Sequence, residues 1–282
     1  MITKAIIPVA GWGTRRLPIT KVIEKCMLPI GNVPAIDFII QDCIKAGITD
    51  FYFVVNGDGR QIKEYYSHHP ELTEYLKKKG KNNLLPLIEP PKDIDFHFVT
   101  TEVNADKYGT TVPVWVCRGY IEAGEQFLVV MGDNVFDRTD GGSNAADLIR
   151  LVEKSGFRSG LLGTPVPLED VEKYGVIEKD ADDTYIRIVE HPKPEQAPSN
   201  LNNASFYLFD SQIFEYCERD LNTPHTGEYM IIDVINEYVA AGHPVKVGMA
   251  EGEYFDVGNL ESWLKANQVI AARGGGDRPI RP

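Results

Sequence analysis

Lys4-Ala5-Ile6-Ile7-Pro8-Val9-Ala10-Gly11-Trp12-Gly13-Thr14-Arg15-Arg16-Leu17-Pro18 decides how the rest of the chain is read. Lys4 to Val9 is a short apolar run, the pattern of a strand covered on both faces. A turn follows at Ala10-Gly11-Trp12-Gly13. Gly11 and Gly13 permit positive φ and close approach of the backbone to a ligand, and a glycine turn after a strand can aim several N–H groups at one anion. Arg15 and Arg16 come next, side chains suited to bidentate contact with phosphate. Lys25 lies beyond them, beside Cys26-Met27-Leu28-Pro29. The segment has no Gly-Lys-Ser/Thr and no third glycine at dinucleotide spacing, so it is neither a Walker A loop nor a dinucleotide-binding fingerprint. Taken alone, the two glycines also suit a plain tight turn.

Charge supports an anion site. The 282 residues carry a net charge of −12, yet Lys4, Arg15, Arg16, Lys21 and Lys25 face only Glu24 within the first 25 positions. The acidic whole argues against a nucleic-acid binder, which needs a basic surface. It leaves room for a small anionic substrate at a local basic cluster. Met1 to Val9 is too short to span a bilayer. Cys26, Cys43, Cys117 and Cys217 form no CxxC pair and no zinc spacing, which points to buried thiols and a reduced, cytoplasmic setting.

Outward from the first strand, strands and helices alternate. Pro34 to Ala46 has the helical period, with Gly47 as its stop. Phe51 to Val55 reads as a strand, Ile62 to Lys79 as a polar helix with a break at His69-Pro70, and Phe96 to Val99 as a third strand. Gln126 to Met131 is an apolar strand ending at Gly132-Asp133-Asn134. This alternation predicts an α/β fold: a Rossmann-like, mostly parallel mixed sheet flanked by helices. Ligands in such sheets gather at the C-terminal ends of the strands, where the loops after Val9 and Met131 lie. In the second half, strands are expected at Ser159–Gly163, Gly175–Lys179, Tyr185–Val189 and Ala204–Phe209, with helices at Met230–Ala241 and Leu260–Ala272. Residues 274–282 read as a flexible tail. No repeat or long linker divides the chain, so residues 1–273 are expected to form one domain.

Val9-Ala10-Gly11-Trp12-Gly13-Thr14-Arg15, Leu17-Pro18-Ile19-Thr20-Lys21 and Lys25-Cys26-Met27-Leu28-Pro29 together resemble, in order and spacing, the sugar-1-phosphate nucleotidylyltransferases. The Val-Ala-Gly start is nearer the uridylyltransferase style than the thymidylyltransferase one. The resemblance covers the chain to about residue 272. It implies a catalytic domain with sugar-binding insertions, residues 1–140 mainly for the nucleotide and 141–273 mainly for the sugar. It implies Mg²⁺-assisted, in-line attack of glucose-1-phosphate on the α-phosphate of UTP, yielding UDP-glucose and pyrophosphate. Arg15 and Lys25 are the implied catalytic cations, and Ala10, Gly11, Gly13, Thr14 and Arg15 the implied nucleotide loop. The resemblance also implies a homo-oligomer, for which Tyr65, Tyr66 and Tyr75 are candidate exposed aromatics.

Two carboxylates complete the implied site. Asp133 ends an apolar strand, and Asp256 sits in Tyr254-Phe255-Asp256-Val257-Gly258. Each also suits an Asx turn or a helix cap, and sequence spacing cannot join them. The resemblance does, assigning both to Mg²⁺, which typically takes one or two carboxylates together with phosphate oxygens.

The match loosens at the sugar and base pockets. Tyr174-Gly175-Val176 and Val189-Glu190-His191-Pro192-Lys193 resemble the family's sugar-side segments, with Glu190 as acceptor for sugar hydroxyls. His191 stands where the family has a phosphate-binding Lys, and histidine is only partly charged near pH 7. Lys193 is the nearest replacement, although a two-residue shift redirects the side chain. Ser205 stands where glycine is usual, which predicts a narrower sugar pocket or an extra hydroxyl. Thr226-Gly227-Glu228 matches a sugar-side Gly-Glu segment, or else begins a helix with Thr226 as N-cap. On the base side Gly109 is retained, while Glu102 takes the place of a Gln and can accept from uracil N3–H but not donate. These departures leave two alternatives open: a related pyrophosphorylase with another base or sugar preference, such as dTTP, or a weakly catalytic regulatory paralogue that binds nucleotide-sugar.

Overall fold

A computed structural model describes residues 1–101, 107–224 and 226–274. The first strand, β1 (Lys4–Pro8), leads through the glycine loop to two-residue strands β2 (Pro29–Ile30) and β3 (Val33–Pro34). Helix α1 (Ala35–Lys45), β4 (Asp50–Val55), α2 (Arg60–Tyr65), α3 (Pro70–Lys78) and β5 (Asp95–Thr100) follow. After α4 (Thr111–Val116) come β6 (Gln126–Val130), β7 (Asn134–Asp137) and α5 (Asn144–Ser155). Next are β8 (Ser159–Pro165), β9 (Gly175–Lys179), β10 (Tyr185–Glu190), β11 (Leu201–Asp210) and α6 (Ile213–Asn222). The chain closes with α7 (Ile231–Ala240), β12 (Val245–Met249), β13 (Glu253–Asp256) and α8 (Leu260–Ala272).

Among the described residues, nine strands form one sheet in the order β10-β9-β11-β6-β1-β4-β5, with β8 paired to β11 and β12 to β8. The β6-β1-β4-β5 half is parallel; β11 joins it antiparallel along β6. The expected α/β fold is therefore observed. The apolar run of β1 is explained by burial on both sides. Ile6 enters one core with Val129, Tyr207 and Ile235, while Ala5 and Ile7 enter the other with Ile36, Phe53 and Leu128. Successive side chains on a strand point to opposite faces, so an apolar residue is required at each of the buried positions Ala5, Ile6 and Ile7.

The helix expected over 62–79 is two helices, parted before Pro70, whose ring suits a first helical turn. Thr226 does not cap a helix. The helix begins at Ile231, and its amide donates to Thr110 Oγ1 at 2.9 Å from across the fold. The aromatic triplet also needs correction: Tyr75 is exposed, but Tyr66 is buried, stacks on Phe96 and donates its hydroxyl to Asp37. All four cysteines are buried and free. Of the tail, residues 275–282 lie outside the described residues. Among the described residues, no helix is long and apolar enough to cross a membrane.

Candidate active site

The loops after β1, β4 and β6 meet at the C-terminal end of the parallel strands. Ala10, Gly11, Trp12, Lys25, Val55 and Gln61 help line a cavity there of about 560 Å³. A similar depression of about 590 Å³, beside Arg158 and Asp210, lies away from this loop and includes none of its residues.

The two loop glycines are not equivalent. Gly13 has φ +62°, and a Cβ there would lie 3.0 Å from Thr20 Cγ2 and 3.1 Å from Lys25 Cβ. Gly11 has open space around it. Gly13→Ala is therefore expected to cost about 1–2 kcal/mol for the left-handed backbone alone, whereas Gly11→Ala should stay within about 0.5 kcal/mol of the parent. Urea midpoints of the two variants check this.

Gly13 and Thr14 start a short 3-10 turn, Thr14–Arg16, which sends the two arginines in different directions. Arg15 is exposed, and its charge favours the ionised form of Asp256. Arg16 is buried over the Trp263 ring. Further along the loop, Glu24 and Gln61 exchange reciprocal bonds: the Glu24 amide donates to Gln61 Oε1 at 2.7 Å, and the Gln61 amide to Glu24 Oε1 at 2.9 Å. Gln61 Nε2 also donates to the Val22 carbonyl. The residue before Lys25 is thereby tied to the start of α2.

Lys25 then reaches across to Asp133, with which it forms an ion pair. The route that joins Asp133 to Asp256 is a small antiparallel ribbon. β7 and β13 pair with Asn134 opposite Asp256, and the Val257 amide donates to the Asp133 carbonyl at 3.0 Å. Gly132 lets the chain pass close to the end of β1 just before Asp133, since a Cβ there would meet Val9 Cγ1 at 2.5 Å. Gly258 leaves room for the Lys25 ammonium: its own Cβ would fall 2.7 Å from Nζ and 2.8 Å from Asp256 Oδ1. Burial, and then the neighbouring Asp133, push the Asp256 carboxyl above its ordinary value, with Lys25 and Arg15 opposing the shift. Two carboxylates with partly unmet negative charge are a fitting donor set for a hard divalent cation that shares phosphate oxygens. Among the described residues, no third acidic, His or Cys side chain joins them in a metal-binding group. Asn134 was not foreseen as a site residue. It accepts from the Tyr254 hydroxyl at 2.9 Å and donates to the Ala204 carbonyl at 3.3 Å, bracing the carboxylate ribbon against β11.

On the expected sugar side, Gly175 pairs with Glu190 across β9 and β10. A Cβ at Gly175 would collide with Glu190 Oε1, so glycine makes space for that carboxylate. Partial burial raises the Glu190 pKa, against the influence of His191. His191 has φ +48°, its Nδ1 lies 2.9 Å from the Glu172 carbonyl, and its Nε2 lies 3.7 Å from Glu190. Lys193 is exposed at the start of the short turn Pro194–Gln196. Ser205 occupies a bulge of β11 at φ +54°, which is the physical reason a glycine suits that position. Its amide donates to Asn203 Oδ1, and its carbonyl accepts from the Met131 amide next to the Asp133 loop.

On the expected base side, Gly109 has φ +127°, and a Cβ there would come within 2.5 Å of the Tyr229 backbone nitrogen. This glycine admits a close backbone crossing, in which Tyr229 N–H donates to Tyr108 and Thr111 N–H to Tyr229. Glu102 lies outside the described residues.

With this geometry in view, comparison with known proteins is decisive. The family model described as Nucleotidyl transferase matches residues 4–273. The chain is 34% identical over 275 residues to the UTP–glucose-1-phosphate uridylyltransferase of Streptococcus pneumoniae serotype 4, covering 94% of this chain and 89% of that one. The UTP-bound UGPase of Acinetobacter baumannii superposes with a TM-score of 0.86 at 26% identity, covering 97% of this chain and 94% of that chain. A UDP-glucose pyrophosphorylase complexed with UDP-glucose superposes at 0.81 and 26% identity, covering 97% and 100%. A glycine- and arginine-bearing loop after β1, with Asp133 and Asp256 brought together by the β7–β13 ribbon, thus belongs to a chain that matches one family model almost end to end: the protein is a member of the nucleotidyl transferase family.

Proposed function

We propose that this chain is a UTP–glucose-1-phosphate uridylyltransferase, forming UDP-glucose and pyrophosphate. The observation that carries the chemistry is the meeting of Arg15 and Lys25 with Asp133 and Asp256 at the mouth of the β1 loop. The relatives named above support UTP and glucose-1-phosphate as substrates.

A phosphate oxygen of glucose-1-phosphate attacks the α-phosphorus of UTP; the bond to the bridging oxygen breaks, and pyrophosphate leaves with that electron pair. The attacking phosphate is already ionised near pH 7, so the site needs no general base and no covalent nucleophile. Its task is to hold two polyanions in line against their repulsion. Ala10, Gly11, Gly13 and Thr14 supply the loop backbone that cradles the nucleotide. Arg15 and Lys25 neutralise charge on the phosphates as it shifts toward the leaving group. Lys25, a point charge on a flexible stem, exchanges its pairing with Asp133 for a phosphate oxygen. Asp133 and Asp256 are the residues that would hold Mg²⁺, which, when bound, supplies Lewis-acid charge to the phosphate oxygens.

The base edge is read by backbone groups near Ala10, Gly11 and Gly109, and Glu102 is the proposed acceptor for uracil N3–H. Glu190 accepts sugar hydroxyls in the space left by Gly175, with His191, Lys193 and Ser205 around the sugar phosphate. Residues 1–140 thus serve mainly the nucleotide and 141–273 mainly the sugar, within one catalytic domain that acts as a cytoplasmic homo-oligomer. Pyrophosphate release from glucose-1-phosphate with UTP, dTTP, ATP, CTP and GTP in turn tests this reading. UTP-selective release is expected. Preference for another triphosphate, or no release despite UDP-glucose binding, overturns it.

A further inference from the structure

Arg16 is a buried cation that the reaction scheme leaves without a task. It is only 6% exposed, and its Nε and Nη1 are buried with no hydrogen-bond partner among the described residues. Its guanidinium carbon sits 4.7 Å from the centre of the Trp263 ring. Burying a charge with unmet donors is costly, and an apolar side chain would fill the same space without that cost. The cation therefore has a use other than filling volume, and the aromatic face is its partner.

The position of the pair identifies that use. Arg16 closes the 3-10 turn that contains Arg15, whereas Trp263 lies in the first turn of α8, just after the Asp256 loop. Trp263 is itself fixed, since its indole N–H donates to the Pro29 carbonyl at 2.8 Å. The surrounding loop has little apolar anchorage of its own: Trp12 is 75% exposed, Leu17 59% and Val22 68%. One end is held by Gln61 through Glu24 and Val22. The Arg16–Trp263 stack holds the other.

We propose that Arg16 is a positioning residue: by docking on Trp263 it fixes the phosphate loop against α8, so that Arg15 and Lys25 stand beside Asp133 and Asp256. The catalytic half of this inference rests on the proposed transferase reading; the anchoring half does not.

Two measurements keep them apart. Amide hydrogen exchange over residues 12–24 needs no substrate. Arg16→Leu, which keeps bulk and removes charge, is expected to speed exchange there about tenfold, and Arg16→Lys to restore much of the protection, with the thermal midpoint of both near that of the parent. Unchanged exchange in Arg16→Leu overturns the proposal. In turnover, Arg16→Leu should lower kcat about tenfold with KM for glucose-1-phosphate unchanged. Trp263→Ala should lower it similarly, and the double variant no further than either single one. Normal kcat in Arg16→Leu, or multiplicative losses in the double variant, overturn the positioning role. If the parent itself transfers no nucleotide, the transferase reading falls, while the exchange result still decides the anchor.

Discussion

Asp133→Ala is expected to lower kcat by about a hundredfold or more, in line with the loss of one organising group at a charge-developing centre, and to leave the fold intact. Asp133 stands where β6 hands the chain to the carboxylate ribbon, and its side chain is the counter-charge of Lys25. Removing it halves the proposed metal donor set. The fold depends on it far less. The Lys25–Asp133 pair is partly buried, with side chains 19% and 26% exposed, so its loss is expected to cost about 1–3 kcal/mol, between the exposed and fully buried cases. The backbone link through the Asp133 carbonyl to Val257 does not need the carboxylate. Asp133→Asn should be as impaired as Asp133→Ala, because an amide matches the shape and lacks the charge. Steady-state kcat beside a thermal midpoint checks both; near-normal turnover in either would remove Asp133 from the metal site.

Lys25→Met should cost a comparable factor of about a hundred in kcat. The substitution keeps the apolar stem that touches the Gly13 turn and deletes only the ammonium. Two effects then add. The phosphates lose a cation, and the Asp256 carboxyl, already raised by burial and by Asp133, loses the first of the charges that oppose the shift. Lys25→Arg should rescue poorly. The ammonium packs against Gly258, where a Cβ would lie 2.7 Å from it, and a broader planar guanidinium is expected to be crowded there. Comparison of kcat for the Met and Arg variants with KM for each substrate measures this. Full activity in Lys25→Arg would contradict that crowding.

Much of the fold was legible because β1, β4, β5 and β6 are strands whose periodicity and flanking turns speak locally. Gly175–Lys179 and Leu260–Ala272 were read at their observed bounds. Helix α5 carried its signals too, with Ser143 as N-cap, Gly156 as the left-handed stop and Ala145, Leu148 and Val152 buried on one face, yet it is absent from the expected elements. The β7–β13 ribbon was illegible for a deeper reason. Each strand has four residues, and their pairing joins positions more than a hundred apart in the chain, which no local pattern records. The proximity of Asp133 and Asp256 was therefore available only through family resemblance, until the ribbon supplied its physical cause. Arg16 shows the same limit. Its type and place beside Arg15 suggested a phosphate contact; Trp263, distant in sequence, diverts it into the interior. Ser205 runs the other way, since a residue unusual for its position is housed in a bulge at positive φ.

The most direct test of the central claim is to follow the α-phosphorus of UTP. With α-³²P-labelled UTP, glucose-1-phosphate and Mg²⁺, the label should appear in UDP-glucose, with one unlabelled pyrophosphate released per nucleotide-sugar and none of the label retained on the protein. Label that stays in UTP, or that accumulates covalently on the chain, would contradict direct transfer in the cradle of Arg15, Lys25, Asp133 and Asp256.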